Sequence, residues 1–219
     1  MKGVIFDLDG TMIDNMMVHH RAWQQKLAEL GVHMDLGEVM EKVHGINEEI
    51  LERLFGNRFT PEERKRIAAE KEELYRNIYL PEFKPISGLV GFIEKLHERG
   101  IPVGIGTAAP PENMHFALDN LGIKPMIKTA LHARDVSKGK PDPEIYIKAA
   151  SGLGIDPKQC VIFEDTPVGA MAASSAGGQV IVITTTHKEN EFREVPSVIR
   201  YINDYRGMTP DNIISVSDI

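Results

Sequence analysis

Acidic side chains follow two short apolar segments of the sequence, residues 3–6 and 160–163. These acidic residues are Asp7, Asp9, Glu164 and Asp165. Continuous apolar runs of this length suit strands that are buried on both faces of a parallel sheet. Because ligands bind beyond the carboxyl ends of such strands, we expect the carboxylates to meet in one crevice.

A hydroxyl group and an ammonium group can complete the site that these carboxylates form. A further apolar run, residues 101–105, is followed by Gly106 and Thr107, and Lys140 lies in a loop before a predicted helix. Thr107 can donate to a phosphate oxygen, and Lys140 supplies a positive charge for the phosphate and for a nucleophile. The chemistry that this set predicts is phosphoryl transfer.

The carboxylates also predict a divalent cation, since several of them at close quarters repel one another. Asp7, Asp165 and the backbone carbonyl of Asp9 form an all-oxygen set, which selects Mg²⁺ over zinc or copper. A bound Mg²⁺ would offset the repulsion between an anionic nucleophile and a phosphate. We therefore expect Asp7 to attack phosphorus and form an aspartyl phosphate, with Asp9 as the general acid and base.

Each motif has a simpler interpretation when it is taken alone. Residues 7–10 could be an ordinary turn without a function. Residues 140–143 and 164–167 could likewise be ordinary helix starts. Their joint occurrence at the ends of predicted strands, in one chain order, favours a functional site.

The elements that must position these residues alternate between strand and helix. The predicted strands cover residues 3–6, 101–105, 160–163 and 180–183, with an edge strand over 198–202. The helical patterns between them cover residues 89–99, 112–121, 143–153 and 167–176, and each stops at a glycine. This alternation predicts an α/β fold with a doubly wound parallel sheet. Residues 208–219 give no clear pattern.

Residues 15–82 break the alternation, because they carry helix patterns and no convincing strand. The predicted helices cover residues 19–30, 48–55 and 60–79, the last opened by a capping box at Thr60 with Pro61 at the first helical position. We therefore predict two domains. One combines residues 1–14 and 83–219 as the α/β core, and the other is an all-helical cap over residues 15–82.

Composition excludes several classes of protein. The 219-residue chain has a formal net charge of −7, which argues against nucleic acid as a partner. Its single cysteine excludes an internal disulfide and a cysteine-built zinc site. Since no apolar run approaches the roughly 20 residues of a membrane helix, we expect no membrane partner. We expect a cytoplasmic monomer that acts on a small molecule.

The sequence resembles the haloacid dehalogenase-like superfamily over nearly its whole length. Residues 6–11, Thr107, Lys140 and residues 164–165 look like its four motifs, in the same order. The helical segment looks like the C1-type cap of that superfamily. Within it, residues 19–23 are similar to the start of the cap helix in β-phosphoglucomutase-like phosphatases.

The resemblance implies a Rossmann-like core and a Mg²⁺-dependent phosphatase. We expect hinges near residues 15–18 and 82–85, where the cap joins the core. It implies Asp7 as the nucleophile, Asp9 as the acid and base, and Thr107 and Lys140 on the transferring phosphate. The implied metal-binding residues are Asp7, Asp9 through its carbonyl, Asp165 and Glu164, the last in or just behind the metal shell. The implied substrate-binding residues are Asn15, His19, Lys71 and Ala108. True dehalogenases of the superfamily lack the second aspartate, so Asp9 argues for phosphate chemistry.

A phosphatase and a β-phosphoglucomutase remain the two candidate activities. The mutase pattern has an arginine where this chain has Glu48, and Ser-Lys-Asn where it has residues 109–111. A charge reversal at a phosphate clamp disfavours binding. We therefore expect a phosphatase acting on a small phosphorylated metabolite of the sugar phosphate class. Lys71 matches a further cap lysine of the mutase pattern, so the mutase is the alternative.

Other classes fit the sequence less well. A phospho-accepting receiver domain is shorter than this chain and contains no cap. A dinucleotide-binding site requires a third glycine after Gly106, and this chain does not have it. A non-catalytic binding protein would not need all four motifs filled. A Schiff base on Lys42 or Lys71, as in phosphonate hydrolases, is disfavoured because we interpret both lysines as solvated surface residues.

Overall fold

The computed structural model describes residues 1–214, and their contacts divide the chain into two units. The α/β unit combines Met1–Asp14 with the chain from Lys84 onward, and the helical insert is Asn15–Phe83. The boundary at the far end of the insert thus lies one residue beyond the predicted one.

Six parallel strands form the sheet of the α/β unit. They are β1 (Gly3–Phe6), β2 (Val103–Gly106), β3 (Ile127–Leu131), β4 (Cys160–Glu164), β5 (Gln179–Ile183) and β6 (Val198–Ile202). Their order across the sheet is β3-β2-β1-β4-β5-β6, and every neighbouring pair is parallel. This order is the doubly wound arrangement, in which ligands bind where the order reverses, beyond β1 and β4. The predicted fold class is confirmed.

Alternate residues of the central strands pack on opposite faces of the sheet. On one face, Phe6 stacks on Phe163 with ring centroids 4.8 Å apart, and Phe92 stacks on Tyr205 at 5.8 Å. On the other face, Ile5 of β1 belongs to a buried hydrophobic cluster with residues of β4 and β5. Both faces are therefore dry, as the continuous apolar runs predict.

The helical insert contains four α-helices. They are α1 (Met16–Glu29), α2 (Leu36–Lys42), α3 (Asn47–Phe55) and α4 (Pro61–Tyr79). Their apolar faces meet in a core that includes Trp23, Leu27, Val39, Leu51 and Ile67. The predicted capping box of α4 is present, since the Thr60 side chain accepts from the backbone N–H of Glu63 and the Glu63 side chain accepts from that of Thr60.

Up to residue 214, the α/β unit contains five further α-helices. They are α5 (Leu89–Glu98), α6 (Pro111–Leu121), α7 (Glu144–Leu153), α8 (Pro167–Ser175) and α9 (Pro210–Ile214). Their bounds lie within one residue of the predictions where a prediction was made. Larger differences occur elsewhere. The strand β2 begins at Val103, because Pro102 has no N–H to donate to a ladder, and α1 begins three residues before the predicted start.

The sequence analysis missed β3 and α2. The strand β3 lies at the edge of the sheet and is only half-buried, so Lys128 interrupts the apolar run that marks the central strands. The short helix α2 opens with a capping box between Asp35 and Glu38, which the spacing of these two residues could have revealed. Of the unassigned segment 208–219, residues 210–214 form α9 and residues 215–219 lie outside the described part of the chain.

Among the helices of residues 1–214, none combines the length and the apolar character needed to cross a membrane. The 19-residue helix α4 is long enough, but charged side chains occur along its whole length.

Candidate active site

Three carboxylates lie together at the carboxyl ends of β1 and β4. Asp7 follows β1, Glu164 ends β4, and the in-register pairing of Phe6 with Phe163 brings them side by side. With Asp165 they each offer a carboxylate oxygen within 4.8 Å of the other two. All three side chains are buried, with at most 6% of each residue exposed. The sheet therefore brings these predicted residues together.

Lys140 lies between two of these carboxylates. Its Nζ donates to Asp7 Oδ1 at 2.5 Å and to Glu164 Oε1 at 2.6 Å. Burial alone would lower the pKa of Lys140, but the charges of Asp7 and Glu164 outweigh it and raise that pKa well above its usual value. The ammonium is therefore fixed in its charged form. We call Asp7, Lys140, Glu164 and Asp165 the acidic cluster.

The acidic cluster contains more negative than positive charge. When its three carboxylates are all ionised, the one ammonium leaves two negative charges uncompensated. Burial raises the pKa of Asp7 well above its usual value and raises that of Asp165 to about 7, and repulsion from Glu164 adds to both shifts. A divalent cation would supply the missing charge, and the hard oxygen donors suit Mg²⁺. The cluster therefore fits a metal ion.

The Glu164 carboxylate is already surrounded by donors. Its Oε1 accepts from Lys140 Nζ and from the Tyr146 hydroxyl at 2.8 Å. Its Oε2 accepts from the Asp165 N–H at 2.9 Å and from the N–H and hydroxyl of Thr166 at 3.0 and 3.1 Å. A carboxylate has about four lone-pair sites, so these donors occupy it fully. The geometry favours a place behind a metal shell for Glu164.

The same donors decide the ionisation of Glu164. Burial would raise its pKa, but the charge of Lys140 and the hydrogen bonds from Lys140, Thr166 and Tyr146 lower it below its usual value. Glu164 is therefore the carboxylate of the cluster that keeps its charge most firmly, and it holds Lys140 in place.

Two glycines allow other backbone to approach these carboxylates. A Cβ on Gly169, in the first turn of α8, would lie 1.7 Å from Glu164 Oε1. A Cβ on Gly10 would lie 2.2 Å from Asp165 Oδ2, and Gly10 also has a φ of +74°, which other residues rarely adopt. Any side chain at either position would displace a carboxylate of the cluster.

Thr107 follows β2 and is buried, as the sheet-end argument predicts. Its Oγ1 accepts from the Ala109 N–H at 3.0 Å, so the hydroxyl hydrogen remains to donate elsewhere. Ala108 is exposed beside it, and Asp9 is half-buried in the loop after β1, where it forms an isolated bridge with Ile13. The roles assigned to these residues stay predictions.

The other predicted substrate-binding residues lie in the insert, where they form a separate buried network. Lys71 Nζ is 2.8 Å from His19 Nδ1 and donates to Glu72 Oε1 at 2.8 Å. The Asn15 amide donates to the Tyr75 hydroxyl at 2.8 Å, and the rings of His19 and Tyr75 stack 3.8 Å apart. We call these five residues the insert network. Their predicted contact with substrate remains untested.

The interpretation of Lys71 as a solvated surface residue is wrong. Its side chain is only 2% exposed, whereas that of Lys42 is 47% exposed as expected. Lys71 lies on the same stripe of α4 as Ile67 and Tyr75, four residues to either side, and both of these are buried. The many charged residues of α4 concealed this stripe in the sequence.

Ionisation in the insert network follows from its burial and its two charged members. Burial, together with the nearby charge of Lys71, lowers the pKa of His19 to about 3. Burial opposes the ionisation of Glu72, but the charge of Lys71 and the hydrogen bonds from Lys71 and Asn47 outweigh it and lower the pKa of Glu72 to about 2. Because Lys71 can only donate, the neutral His19 ring accepts at Nδ1. The network thus holds one positive and one negative charge.

Three further residues around the acidic cluster were missed by the sequence analysis. Tyr146 and Tyr205 lie in helical and loop segments without any motif, and no pattern in the sequence singles them out. Thr186 differs, because its hydroxyl donates to Asp165 Oδ2 at 2.5 Å and it follows the carboxyl end of β5. The sheet-end argument that identified Thr107 applies equally to residues 184–186.

Comparison with known proteins identifies the family. A model of haloacid dehalogenase-like hydrolases matches residues 1–177. Validoxylamine A 7'-phosphate phosphatase of Streptomyces hygroscopicus subsp. limoneus is 30% identical, over 94% of this chain and 96% of its own length. Hexitol phosphatase A of Escherichia coli is 31% identical, over 90% of each chain. β-Phosphoglucomutase of Bacillus subtilis is 30% identical, over 81% of this chain and 80% of its own.

A solved structure supports the same family. A family IA haloacid dehalogenase hydrolase from Entamoeba histolytica superposes with a TM-score of 0.90 at 26% identity, with all of both chains covered. The predicted resemblance and the prediction of a phosphoric monoester hydrolase are confirmed by the family match and the phosphatase relatives. The chain belongs to the haloacid dehalogenase-like hydrolase family.

Proposed function

We propose that the protein is a Mg²⁺-dependent phosphatase that hydrolyses a small phosphorylated metabolite of the sugar phosphate class. The observation that carries this proposal is the acidic cluster, in which a buried lysine donates to Asp7 and three buried carboxylates lie within ligand distance of one another. The names of the relatives, a validoxylamine phosphate phosphatase and a hexitol phosphatase, support the substrate class.

The cation would be held by the Asp7 and Asp165 carboxylates and by the Asp9 carbonyl. When bound, Mg²⁺ supplies the positive charge that lets an anionic carboxylate approach an anionic phosphate. Glu164 would act from behind this shell, because its oxygens already accept from Lys140, Tyr146 and the start of α8.

Asp7 would act as the nucleophile. One of its oxygens forms a bond to phosphorus while the bond from phosphorus to the ester oxygen breaks, and the leaving oxygen takes a proton from Asp9. Water then attacks the aspartyl phosphate, Asp9 takes a proton from that water, and the Asp7–phosphorus bond breaks to release phosphate. The hydrogen bond from Lys140 opposes the effect of burial on Asp7 and favours its ionised form.

Thr107 and Lys140 would hold the transferring phosphate. The Thr107 hydroxyl can donate because its oxygen already accepts from Ala109. Lys140 carries a fixed positive charge, and its hydrogen bonds to Asp7 and Glu164 hold that charge beside the proposed nucleophile. Donors aimed at a phosphate stabilise the charge that spreads over its oxygens during transfer.

A phosphoglucomutase is the second candidate, and the similarity to the Bacillus subtilis enzyme favours it. Two features of this chain oppose it. Pro110 and Pro111 occupy the cap and first position of α6, so this helix start lacks two backbone N–H donors. Glu48 lies in the first turn of α3, where the mutase pattern has a cation. A second phosphate would meet fewer donors and an added negative charge.

Phosphate release across a substrate panel tests the proposal. The panel holds hexitol phosphates, hexose and pentose phosphates, β-glucose 1-phosphate, nucleotides and pyrophosphate, each assayed with Mg²⁺ and with EDTA. We expect Mg²⁺-dependent phosphate release from the sugar or hexitol phosphates. Release that persists in EDTA would contradict the metal assignment. Glucose 6-phosphate formed from β-glucose 1-phosphate without net phosphate release would identify the mutase instead.

We also propose that the protein acts in the cytoplasm as a monomer. The net charge of −7 makes nucleic acid an unfavourable partner. Light scattering coupled to size-exclusion chromatography checks the oligomeric state, and a mass of about 24 kDa is expected for the monomer.

A further inference from the structure

The two oxygens of the Asp165 carboxylate accept hydrogen bonds from hydroxyls of two separate loops. Thr11, in the loop after β1, donates to Oδ1 at 2.9 Å. Thr186, in the loop after β5, donates to Oδ2 at 2.5 Å. Because one donor contacts each oxygen from a different direction, the plane of the carboxylate is fixed.

The Thr186 hydroxyl has a choice of acceptors, which its neighbours resolve. Its oxygen lies 2.9 Å from the backbone carbonyl of Asp165 and 3.0 Å from His187 Nδ1. A hydroxyl has one hydrogen, and the contact to Oδ2 is the shorter of its two acceptor contacts. With the Nδ1–H tautomer, His187 would donate to the Thr186 oxygen and leave the hydroxyl hydrogen directed at Asp165.

The loop that carries Thr186 is tied to the loop after β1. Thr185 Oγ1 donates to the Gly10 carbonyl at 2.5 Å, and Gly10 itself lies against Asp165. The Thr184 hydroxyl faces the other way and donates to Asn203 Oδ1 at 2.6 Å. Of these three consecutive threonines, only Thr186 donates to the Asp165 carboxylate among the contacts of residues 1–214.

We propose that Thr186 is a positioning residue that holds Asp165 in the orientation required to bind the cation of the acidic cluster. This inference rests on the proposed function, because it concerns the metal site of that reaction. Each Asp165 oxygen accepts one hydroxyl and keeps a lone pair for a cation. Loss of such an outer donor typically costs roughly 10–100-fold in metal affinity.

A merely structural role predicts a different result. The Thr186 hydroxyl also lies 2.9 Å from the Asp165 backbone carbonyl, so its removal could weaken the loop without affecting the cation. In that case the unfolding temperature in EDTA falls and the cation affinity of the folded protein stays the same. If Thr186 positions Asp165, the dissociation constant rises, and phosphate release recovers as the Mg²⁺ concentration is increased.

The experiment measures cation affinity directly on the full chain. Mn²⁺ is titrated into metal-free protein and the free ion is followed by its paramagnetic resonance signal, with Mg²⁺ as the competitor. The variants are Thr186→Val and Thr186→Ala, which remove the hydroxyl with and without retention of side-chain volume. Thr186→Ser restores the hydroxyl, and Thr184→Val is the matched control from the same run of threonines.

We expect both hydroxyl-free variants to bind the cation roughly 10–100-fold more weakly than the wild type. Thr186→Ser and Thr184→Val should stay within about threefold of it. The inference is overturned if the folded Thr186→Ala or Thr186→Val protein binds as tightly as the wild type, or if Thr184→Val loses as much affinity. A wild type that binds no cation and releases no phosphate would instead overturn the proposed function.

Discussion

The acidic cluster and the insert network each bury a lysine against carboxylates, yet their charges balance differently. In the insert network, Lys71 faces Glu72 and a neutral His19, so one positive charge meets one negative charge. In the acidic cluster, a single ammonium faces three carboxylates. A balanced buried pair is complete in itself, whereas an unbalanced group must take up either protons or a further cation. This difference is the reason why we propose a cation site at the acidic cluster and not in the insert network.

The largest expected effect comes from replacing Asp7, the proposed nucleophile in the acidic cluster. Asp7→Asn should lower the rate of phosphate release by roughly 10⁴-fold or more, as loss of a nucleophile typically does. The matched variant Glu72→Gln, in the balanced group, should leave that rate within about tenfold, since the residue lies in an internal pair of the insert. Steady-state phosphate release measures both rates, with circular dichroism to show that each variant folds. Equal losses in the two variants would contradict the distinction.

The balanced group should instead respond in stability. Lys71→Met leaves Glu72 buried with no ammonium beside it, and breaking a buried pair in this way costs about 3–5 kcal/mol. The double variant Lys71→Met/Glu72→Gln removes both charges and should recover part of that loss. Urea unfolding at pH 7 measures the free energies. A Lys71→Met protein as stable as the wild type would show that Lys71 contributes no net stability to the insert.

Acidification should affect the two groups in opposite directions. The folded pKa of His19 is about 3, below its usual 6.5, so the unfolded chain binds the proton first and stability is lost as the pH falls below 6.5. The folded pKa of Asp165 is about 7, above its usual 3.8, so the folded state binds the proton first and stability is gained over the same range.

Two variants separate these contributions in EDTA. Between pH 6.5 and pH 5, His19 should contribute a loss of about 2 kcal/mol, at 1.4 kcal/mol per pH unit. His19→Gln should remove that loss, so that its unfolding free energy falls less on acidification than that of the wild type. Asp165→Asn should remove the opposing gain and fall more steeply. Urea unfolding at both pH values measures the slopes, and identical slopes in all three proteins would contradict both assignments.

The sequence predicted the acidic cluster well because its acidic residues directly follow the apolar runs that identify the buried strands. An apolar run that ends in acids identifies both β1 and Asp7, and the same holds for β4 and Glu164. The burial of the insert network could not be predicted in this way, because no apolar run adjoins its residues. Burial of Lys71 depends on which face of α4 packs inward, and a charged helix gives little information about that face.

The supporting residues of the cluster were also hard to predict. Tyr146 contacts Glu164 from the first turn of α7, and this contact depends on helix packing and not on any local motif. The edge strand β3 carries Lys128 among its apolar residues, so its sequence lacks the continuous run of the central strands. Thr186 was accessible to the argument from strand ends, but that argument was applied to acids and to Thr107 alone.

The smallest expected effect comes from replacing a helix-capping threonine, and each unit offers one such threonine for comparison. Thr60 caps α4 by accepting from the Glu63 N–H, and Thr166 caps α8 by accepting from the Gly169 N–H at 3.0 Å. Replacing either threonine by alanine should cost about 1 kcal/mol of stability through the lost cap. Thr166 also donates to Glu164 Oε2, so only its replacement loosens a carboxylate that holds Lys140.

Activity then distinguishes two losses of similar size. Thr166→Ala should lower the rate of phosphate release, by a few-fold to tenfold, because Glu164 retains four of its five donors. Thr60→Ala should leave the rate unchanged, since α4 lies in the insert and its cap contacts no member of the cluster. Urea unfolding and phosphate release on both variants provide the comparison. If the two variants lose equal activity, support of Glu164 by Thr166 contributes nothing beyond an ordinary helix cap.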